Sequence, residues 1–365
     1  MPDTERKLLK DIFDKQRFEL IAKDAAAVWR PFDVERFLAV GLHGHAQLSL
    51  LQRLRRVSMA LRETLPPDYP QALDILYTLA PRIEKGFVSL FLPDFVGQYG
   101  RDYFELSMQA LKSFTKLGSA EFAVREFLRS DLTSTLRVMK QWSLAEDEHV
   151  RRLASEGSRP RLPWSFKLQA IIDAPELTYP ILANLAQDPS LYVRKSVANH
   201  LNDVSKDHPE WLLDTLKKWP CDHPHPIWIA KRALRTLIKA GHPGALSQVG
   251  ASDEVAVDVM RFAVSPNSLS LGDSVTLSVE LQSQSDQPQR LVVDYRIHYV
   301  KKAGNTSLKV FKMKELTLEP DGRVSLTLRQ LIKDFTTRTH FCGVHLVELM
   351  VNGKCLAQSR FELCS

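Results

Sequence analysis

Three carboxylates and a tryptophan carry the chemistry this 365-residue chain could perform: Glu121, Glu156, Asp203 and Trp164. Glu156 stands in the run EHVRRLASEGSRPRLPW, four residues after Arg152 and three before Arg159, so a helix through this run holds a carboxylate inside a column of cations. The segment GSRPRLPW that closes the run contains two arginines, two prolines and a tryptophan that no apolar period explains. Proline at 160 and 163 fixes backbone angles and presents Arg159, Arg161 and Trp164 at low entropic cost, which suits cations aimed at phosphate and an aromatic face aimed at a sugar or base. The competing reading is a structural loop whose Trp164 closes over the core. For Asp203, beside Asn202 at the end of a helical stretch, the competing reading is a helix stop. For Glu121 it is a first-turn carboxylate facing the dipole of a helix that Gly118 or Ser119 caps.

The elements that must position these groups repeat. Setting LYVRKSVANHLND beneath HVRRLASEG places Val193 under Val150, Lys195 under Arg152 and Asn199 under Glu156, an offset of 43 residues; a third copy, WIAKRALRTLIKAG, follows 36 residues later. Such offsets fit paired-helix HEAT-type repeats of roughly 40 residues. The pairs Val150 and Ala154, Val193 and Val197, Ile229 and Ala233 lie one turn apart and predict a buried seam. The opposite face reads Arg152, Glu156 and Arg159, then Lys195, Asn199 and Asn202, then Lys231 and Arg235, a polar stripe expected to line up into a solvent-facing surface for an extended partner. Trp142, Leu185 and Trp219 end helices ahead of the three copies and read as core anchors.

Upstream, apolar residues from Leu8 to Phe114 recur at helical spacing between breaks marked by Pro31, Pro66-Pro67, Pro81 and Pro93, as short helices packed side by side require. Arg53, Arg55 and Arg56 read as the solvated face of one such helix. After Gly250 the period changes to alternation, about seven short strands that suggest an immunoglobulin-like sandwich. Asn352-Gly353 is a preferred two-residue hairpin turn and sets Cys355 opposite Met350 and Cys342 opposite Leu363. The fold class is therefore mainly α: a HEAT-like α-solenoid over residues 1–250 followed by an immunoglobulin-like β-sandwich over 251–365.

Net charge is +6 and the isoelectric point about 9.0, which permits a nucleic-acid partner without requiring one. Residues 251–365 hold 14 Lys or Arg against 13 Asp or Glu, so the surplus sits in the helical part and the β domain is poorly suited to clamp DNA by charge alone. Cysteines 221, 342, 355 and 364 form no CxxC pair and no metal-ligand spacing, so neither a disulfide framework nor a metal site is expected. The start, MPDTERKLLKDIFDK, lacks the apolar run of a signal peptide, and no stretch has the length of a membrane span. A cytoplasmic monomer without cofactor is the expectation.

The order EFAVREFL, then HVRRLASEGSRPRLPW, then DPSLYVRKSVANHLNDVSKDHPEWL resembles the AlkC branch of the AlkC/AlkD family of bacterial DNA alkylation repair glycosylases over about residues 118–240. The appended β domain is also similar to that branch. The resemblance implies hydrolysis of the N-glycosidic bond of a cationic methylated base, 3-methyladenine or 3-methylcytosine, in double-stranded DNA. It implies as well that the enzyme lacks a deep base pocket and works without full base flipping. A cationic base is already a good leaving group, so the enzyme needs mainly to stabilise an oxocarbenium-like sugar and orient water. On this reading Asp203 and Glu156 stabilise the cation and activate water, Trp164 packs on the lesion nucleotide, and Glu121 is a supporting carboxylate. Arg152, Arg159, Arg161, Arg194, Lys195, Asn199, Asn202, Lys231, Arg232 and Arg235 contact DNA. The rival class is a noncatalytic HEAT scaffold that binds nucleic acid or protein through the same stripe. It does not explain a carboxylate inside the cationic column beside a proline-stiffened tryptophan loop.

Overall fold

The computed structural model describes residues 8–220, 222–252, 254–335 and 338–364; the beginning of the charged N-terminal segment and Cys221 lie outside them. The three copied stretches form the helices Glu148–Gly157, Leu191–Val204 and Pro224–Ala233, and the middle one packs against both others. Their seam is dry. Val150, Ala154, Val193, Val197, Ile229 and Ala233 all have 0% exposure, and Trp142, Leu185 and Trp219 are buried as anchors. Local chemistry sets the helix starts: the Asp147 carboxylate accepts from the N–H of His149 at 2.9 Å, and Asp188 accepts from that of Ser190 at 2.8 Å. Asp188 also receives Arg151 of the preceding copy at 2.6 and 3.1 Å, which fixes one repeat against the next.

Among the described residues, the α-helices up to Phe114 are Lys15–Val28, Val34–Leu42, Leu50–Thr64, Tyr69–Leu79, Phe91–Tyr99 and Phe104–Phe114. Pro31 and Pro66-Pro67 separate helices as expected. Pro93 instead sits in the first turn of Phe91–Tyr99, where its missing N–H removes no helical bond. Arg53 is buried and donates to the Lys10 carbonyl at 3.1 Å, and Arg55 is bonded to Asp94, so this basic cluster is not simply a solvated face.

The chain divides into two compact units, Met1–His208 with Trp219–Ala233, and Pro209–Lys218 with Leu234–Ser365. Among the described residues, the second contains eight strands: β1 (Val257–Ser265), β2 (Ser268–Ser270), β3 (Ser274–Ser283), β4 (Gln289–Val300), β5 (Thr306–Leu318), β6 (Arg323–Leu331), β7 (Gly343–Val351) and β8 (Lys354–Cys364). They make a three-stranded sheet β1-β3-β6 and a five-stranded sheet β2-β8-β7-β4-β5, with buried Val275, Leu277, Tyr295, Ile297, Val347 and Phe361 clustered in one core. Cys355 pairs with Met350 as the Asn352-Gly353 turn requires. A bulge between Leu349 and Met350 then shifts the ladder, so Gly343 rather than Cys342 faces Leu363. Cys342, Cys355 and Cys364 are free thiols.

Gly157 ends the first copied helix against Val124, whose Cγ1 occupies the place a Cβ would take. Replacing a helical glycine by alanine ordinarily gains up to about 1 kcal/mol. Here overpacking against a branched side chain costs about 1–3 kcal/mol and prevails, so Gly157→Ala should lower the midpoint of thermal or urea unfolding.

Candidate active site

The segment after the first copied helix is held from beneath by Arg125. This residue belongs to the short helix Val124–Ser130 and is completely buried. Its Nη1 donates to the carbonyls of Gly157 at 3.0 Å and Arg159 at 2.6 Å, its Nη2 donates to the carbonyl of Phe166, and its guanidinium stands 5.3 Å from the Phe166 ring centre. Burial, and then the charge of Arg159, pull its pKa down to about 10, which still leaves it cationic at neutral pH.

With that backbone pinned, the Arg159 side chain lies between two carboxylates. Its Nη1 donates to Glu156 Oε1 at 2.7 Å and its Nε to Asp203 Oδ2 at 2.9 Å; Lys206 reaches Asp203 Oδ1 at 3.2 Å. On the other side of Glu156, Arg152 approaches Oε1 at 3.5 Å, pairs with Glu121 and donates to the Ser119 hydroxyl at 2.6 Å. The charges thus alternate along Glu121, Arg152, Glu156, Arg159, Asp203 and Lys206. Burial alone would raise the Glu156 pKa, but Arg152 and Arg159 outweigh it and hold the carboxyl below its ordinary value. Burial likewise opposes the charge of Arg152 and Arg159, and the neighbouring carboxylates raise both.

This arrangement opens into a cleft of about 500 Å³ whose walls include Glu121, Arg152, Glu156, Arg159, Trp164 and Tyr192. Trp164 is 65% exposed and its backbone is left-handed, with φ of 64°, a conformation that bulky residues adopt only where the surroundings impose it. Tyr192 lies over the Arg152 guanidinium, 5.0 Å from its ring centre.

Three of the four catalytic candidates, Glu121, Glu156 and Trp164, therefore share one cleft. Asp203 does not line it and is joined to it through Arg159. Glu121 lies in the turn before the helix that begins at Val124, so it is not a first-turn residue, and its partner is Arg152. The expected solvent-facing stripe is corrected as well: Glu156, Arg159 and Asn202 are buried. Around Glu156 the reason is mutual neutralisation, since Arg152 pairs with Glu121 and Glu156 and Arg159 with Glu156 and Asp203. Among the remaining DNA-contact candidates, Lys195, Lys231 and Arg232 are exposed, and Asn199 and Arg235 are half-buried. Arg161 is bonded to Asp207 at 2.8 and 3.0 Å, Arg194 donates to the carbonyls of Asp188 and Pro189 at 2.8 Å, and Asn202 donates to that of Ala233 at 2.7 Å.

Reading by sequence missed Arg125, Tyr192 and His200. Arg125 follows Phe122 by three residues and precedes Leu128 by three, an arginine on an otherwise apolar stripe. His200 sits in the period of Val193, Val197 and Val204. It is fully buried, with Nδ1 at 3.1 Å from the Ser155 carbonyl and Nε2 at 3.1 Å from the Thr178 hydroxyl, and so ties the turn that carries Glu156 to the next repeat. Among the described residues no cluster of His, Cys, Asp and Glu could hold a metal ion, and no helix is long and apolar enough to cross a membrane.

Residues 115–237 match the family described as DNA alkylation repair enzyme, and residues 258–365 match the C-terminal Ig-like domain described for the uncharacterised protein YhaZ. The chain is 40% identical to the uncharacterized protein YhaZ of Bacillus subtilis (strain 168), over 98% of this chain and 99% of that protein. It is 50% identical, with a TM-score of 0.95, to the solved structure of Pseudomonas fluorescens alkylpurine DNA glycosylase AlkC bound to DNA containing an abasic site analog, covering 98% of this chain and 100% of that one.

Burial lowers the His200 pKa to about 4. The unfolded chain protonates near the ordinary value of about 6.5, so below that pH the unfolded state binds a proton the folded state refuses. The contribution of this group is therefore fully present above pH 6.5 and is lost as pH falls toward 4, by about 3 kcal/mol. Thermal unfolding followed from pH 7 to 4.5 should show the decline, and His200→Asn, which keeps a donor at the Nδ1 position, should flatten it.

Proposed function

This chain belongs to the AlkC branch of the AlkC/AlkD family of bacterial DNA alkylation repair glycosylases, and from that premise we propose that it removes 3-methyladenine and 3-methylcytosine from duplex DNA without full base flipping. It is an alkylated-base DNA glycosylase. The observation that carries the reading of its site is Glu156: a buried carboxylate, kept ionised by two arginines, in the same cleft as an exposed and conformationally forced tryptophan.

As the C1′–N bond of a cationic base breaks, its electrons return to the base and positive charge appears on the sugar. A carboxylate fixed in a desolvated cleft is worth most at that moment, because its charge acts through little water and needs no reorganisation. We assign that role to Glu156, together with acceptance of the proton from the attacking water. Glu121 supports it from the far side of Arg152. Asp203 acts through Arg159, holding the guanidinium that in turn fixes Glu156. Trp164 supplies a polarisable face for the sugar and cationic base. Lys195, Lys231 and Arg232, which are exposed, are suited to phosphate.

Glu156→Gln preserves shape and removes the charge. Single-turnover release of 3-methyladenine should slow by about 10²–10³-fold, while affinity for undamaged DNA stays equal or tightens slightly. A wild-type rate would transfer the role to Glu121, and absence of base release from the unaltered enzyme, with DNA binding intact, would favour the scaffold. DNA affinity should also depend on salt: Lys195→Ala and Lys231→Ala should each flatten the log–log slope by about one unit. Two unchanged slopes would place the phosphates elsewhere.

A further inference from the structure

A second cavity of about 290 Å³ lies behind Trp164, and Leu90, Ser119, Phe122 and Trp164 line both it and the cleft of Glu156. We propose that this cavity is the receiving site for the free base after the glycosidic bond has broken. The inference rests on the reading of the cleft as the place of base release and adds a binding site to it.

The argument begins with charge. The alkylated base is cationic while it is attached. When the C1′–N bond breaks, its electron pair goes to the ring and the base becomes neutral; the water oxygen bonds C1′ and its proton passes to the carboxylate. The leaving species is thus a neutral, planar heterocycle, chemically distinct from both the cation and the phosphodiester that precede it. Among the residues lining the second cavity the single cation is Arg55, and Asp94 takes it up with bonds of 2.8 and 2.9 Å. The Glu126 carboxylate is paired with Arg129. With its one lining cation held by Asp94 and the Glu126 carboxylate also in the wall, the cavity does not attract phosphate.

The remaining lining suits the neutral product. Phe122, Trp164 and Phe166 supply ring faces and edges, Leu51 and Leu54 supply aliphatic wall, and the half-buried Gln98 amide offers a donor and an acceptor to a heterocycle. Trp164 forms part of both walls, so the residue assigned to the sugar and cationic base in the cleft also borders the second cavity. An enzyme that does not flip its substrate base still needs somewhere for the base to go once it is loose.

The test uses free 3-methyladenine and the full chain without DNA, with binding followed by saturation-transfer NMR. A ligand this small should bind with a Kd on the order of 1 mM. Added free base should inhibit multiple turnover and leave the single-turnover rate unchanged. Leu51→Trp, which fills the cavity, should weaken binding at least tenfold, and Gln98→Ala about threefold, each with single-turnover excision within twofold of the unaltered enzyme. Should Leu51→Trp melt at a much lower temperature, Gln98→Ala decides alone. Base release at the normal rate with no binding of free base at 20 mM, or with binding that the folded variants leave unweakened, overturns the inference. Failure of base release itself strikes the function proposed above.

Discussion

The site depends on one buried cation. A guanidinium taken out of water carries a desolvation cost of several kcal/mol unless hydrogen bonds replace the lost solvent. Arg125 offsets much of that cost through Nη1 and Nη2, which donate to the carbonyls of Gly157, Arg159 and Phe166, while its buried Nε has no hydrogen-bond partner. The last carbonyls of a helix have no partner of their own and form the negative end of its dipole, so the end of Glu148–Gly157 is where a cation is best received. The same bonds pin the irregular segment at two points on either side of Trp164. A left-handed tryptophan costs on the order of 1–3 kcal/mol and persists only when its flanks are fixed this way.

From that anchorage follows the chain of alternating charge. Arg159 reaches Glu156 and Asp203 because its backbone is held, and Arg152 reaches Glu121 and Glu156 because helical spacing delivers it. Burial by itself would push the Glu156 carboxyl toward its protonated form, which carries no negative charge to set against a cation. Two arginines keep Glu156 ionised. The arrangement suits a substrate that brings its own positive charge, since the protein then has only to supply a rigid negative one.

The repeat geometry turns this into a surface. Each copied helix buries one stripe at 0% exposure, which leaves the next face to meet its neighbours at a distance set by small and β-branched residues. Where facing residues carry opposite charge, as around Glu156, the face closes into an ion network. Further along the copies Lys195, Lys231 and Arg232 stay exposed.

Much of this was legible from residue order. Periodicity decided the seam, because Val150, Val193 and Ile229 obey a helical spacing that water enforces on any chain. Alternation after Gly250 decided the strands, and the Asn352-Gly353 dipeptide decided the turn and the pairing of Cys355 with Met350. The grouping of Glu121, Glu156 and Trp164 was also foreseeable, since Glu156 and Trp164 are close in sequence and the motif around Glu121 resembles a known family. Tertiary structure alone decided the rest. A polar stripe closes into a buried network where its charges meet opposite charges on neighbouring segments, and that depends on tertiary packing: Arg159 meets Asp203 across 44 residues, and Arg152 meets Glu121 across 31. The bulge at Leu349/Met350, the withdrawal of Asp203 behind Arg159 and the burial of Arg125 are likewise consequences of packing between segments. Local sequence sets which face of a helix is apolar; only the assembled neighbours set which charges find one another.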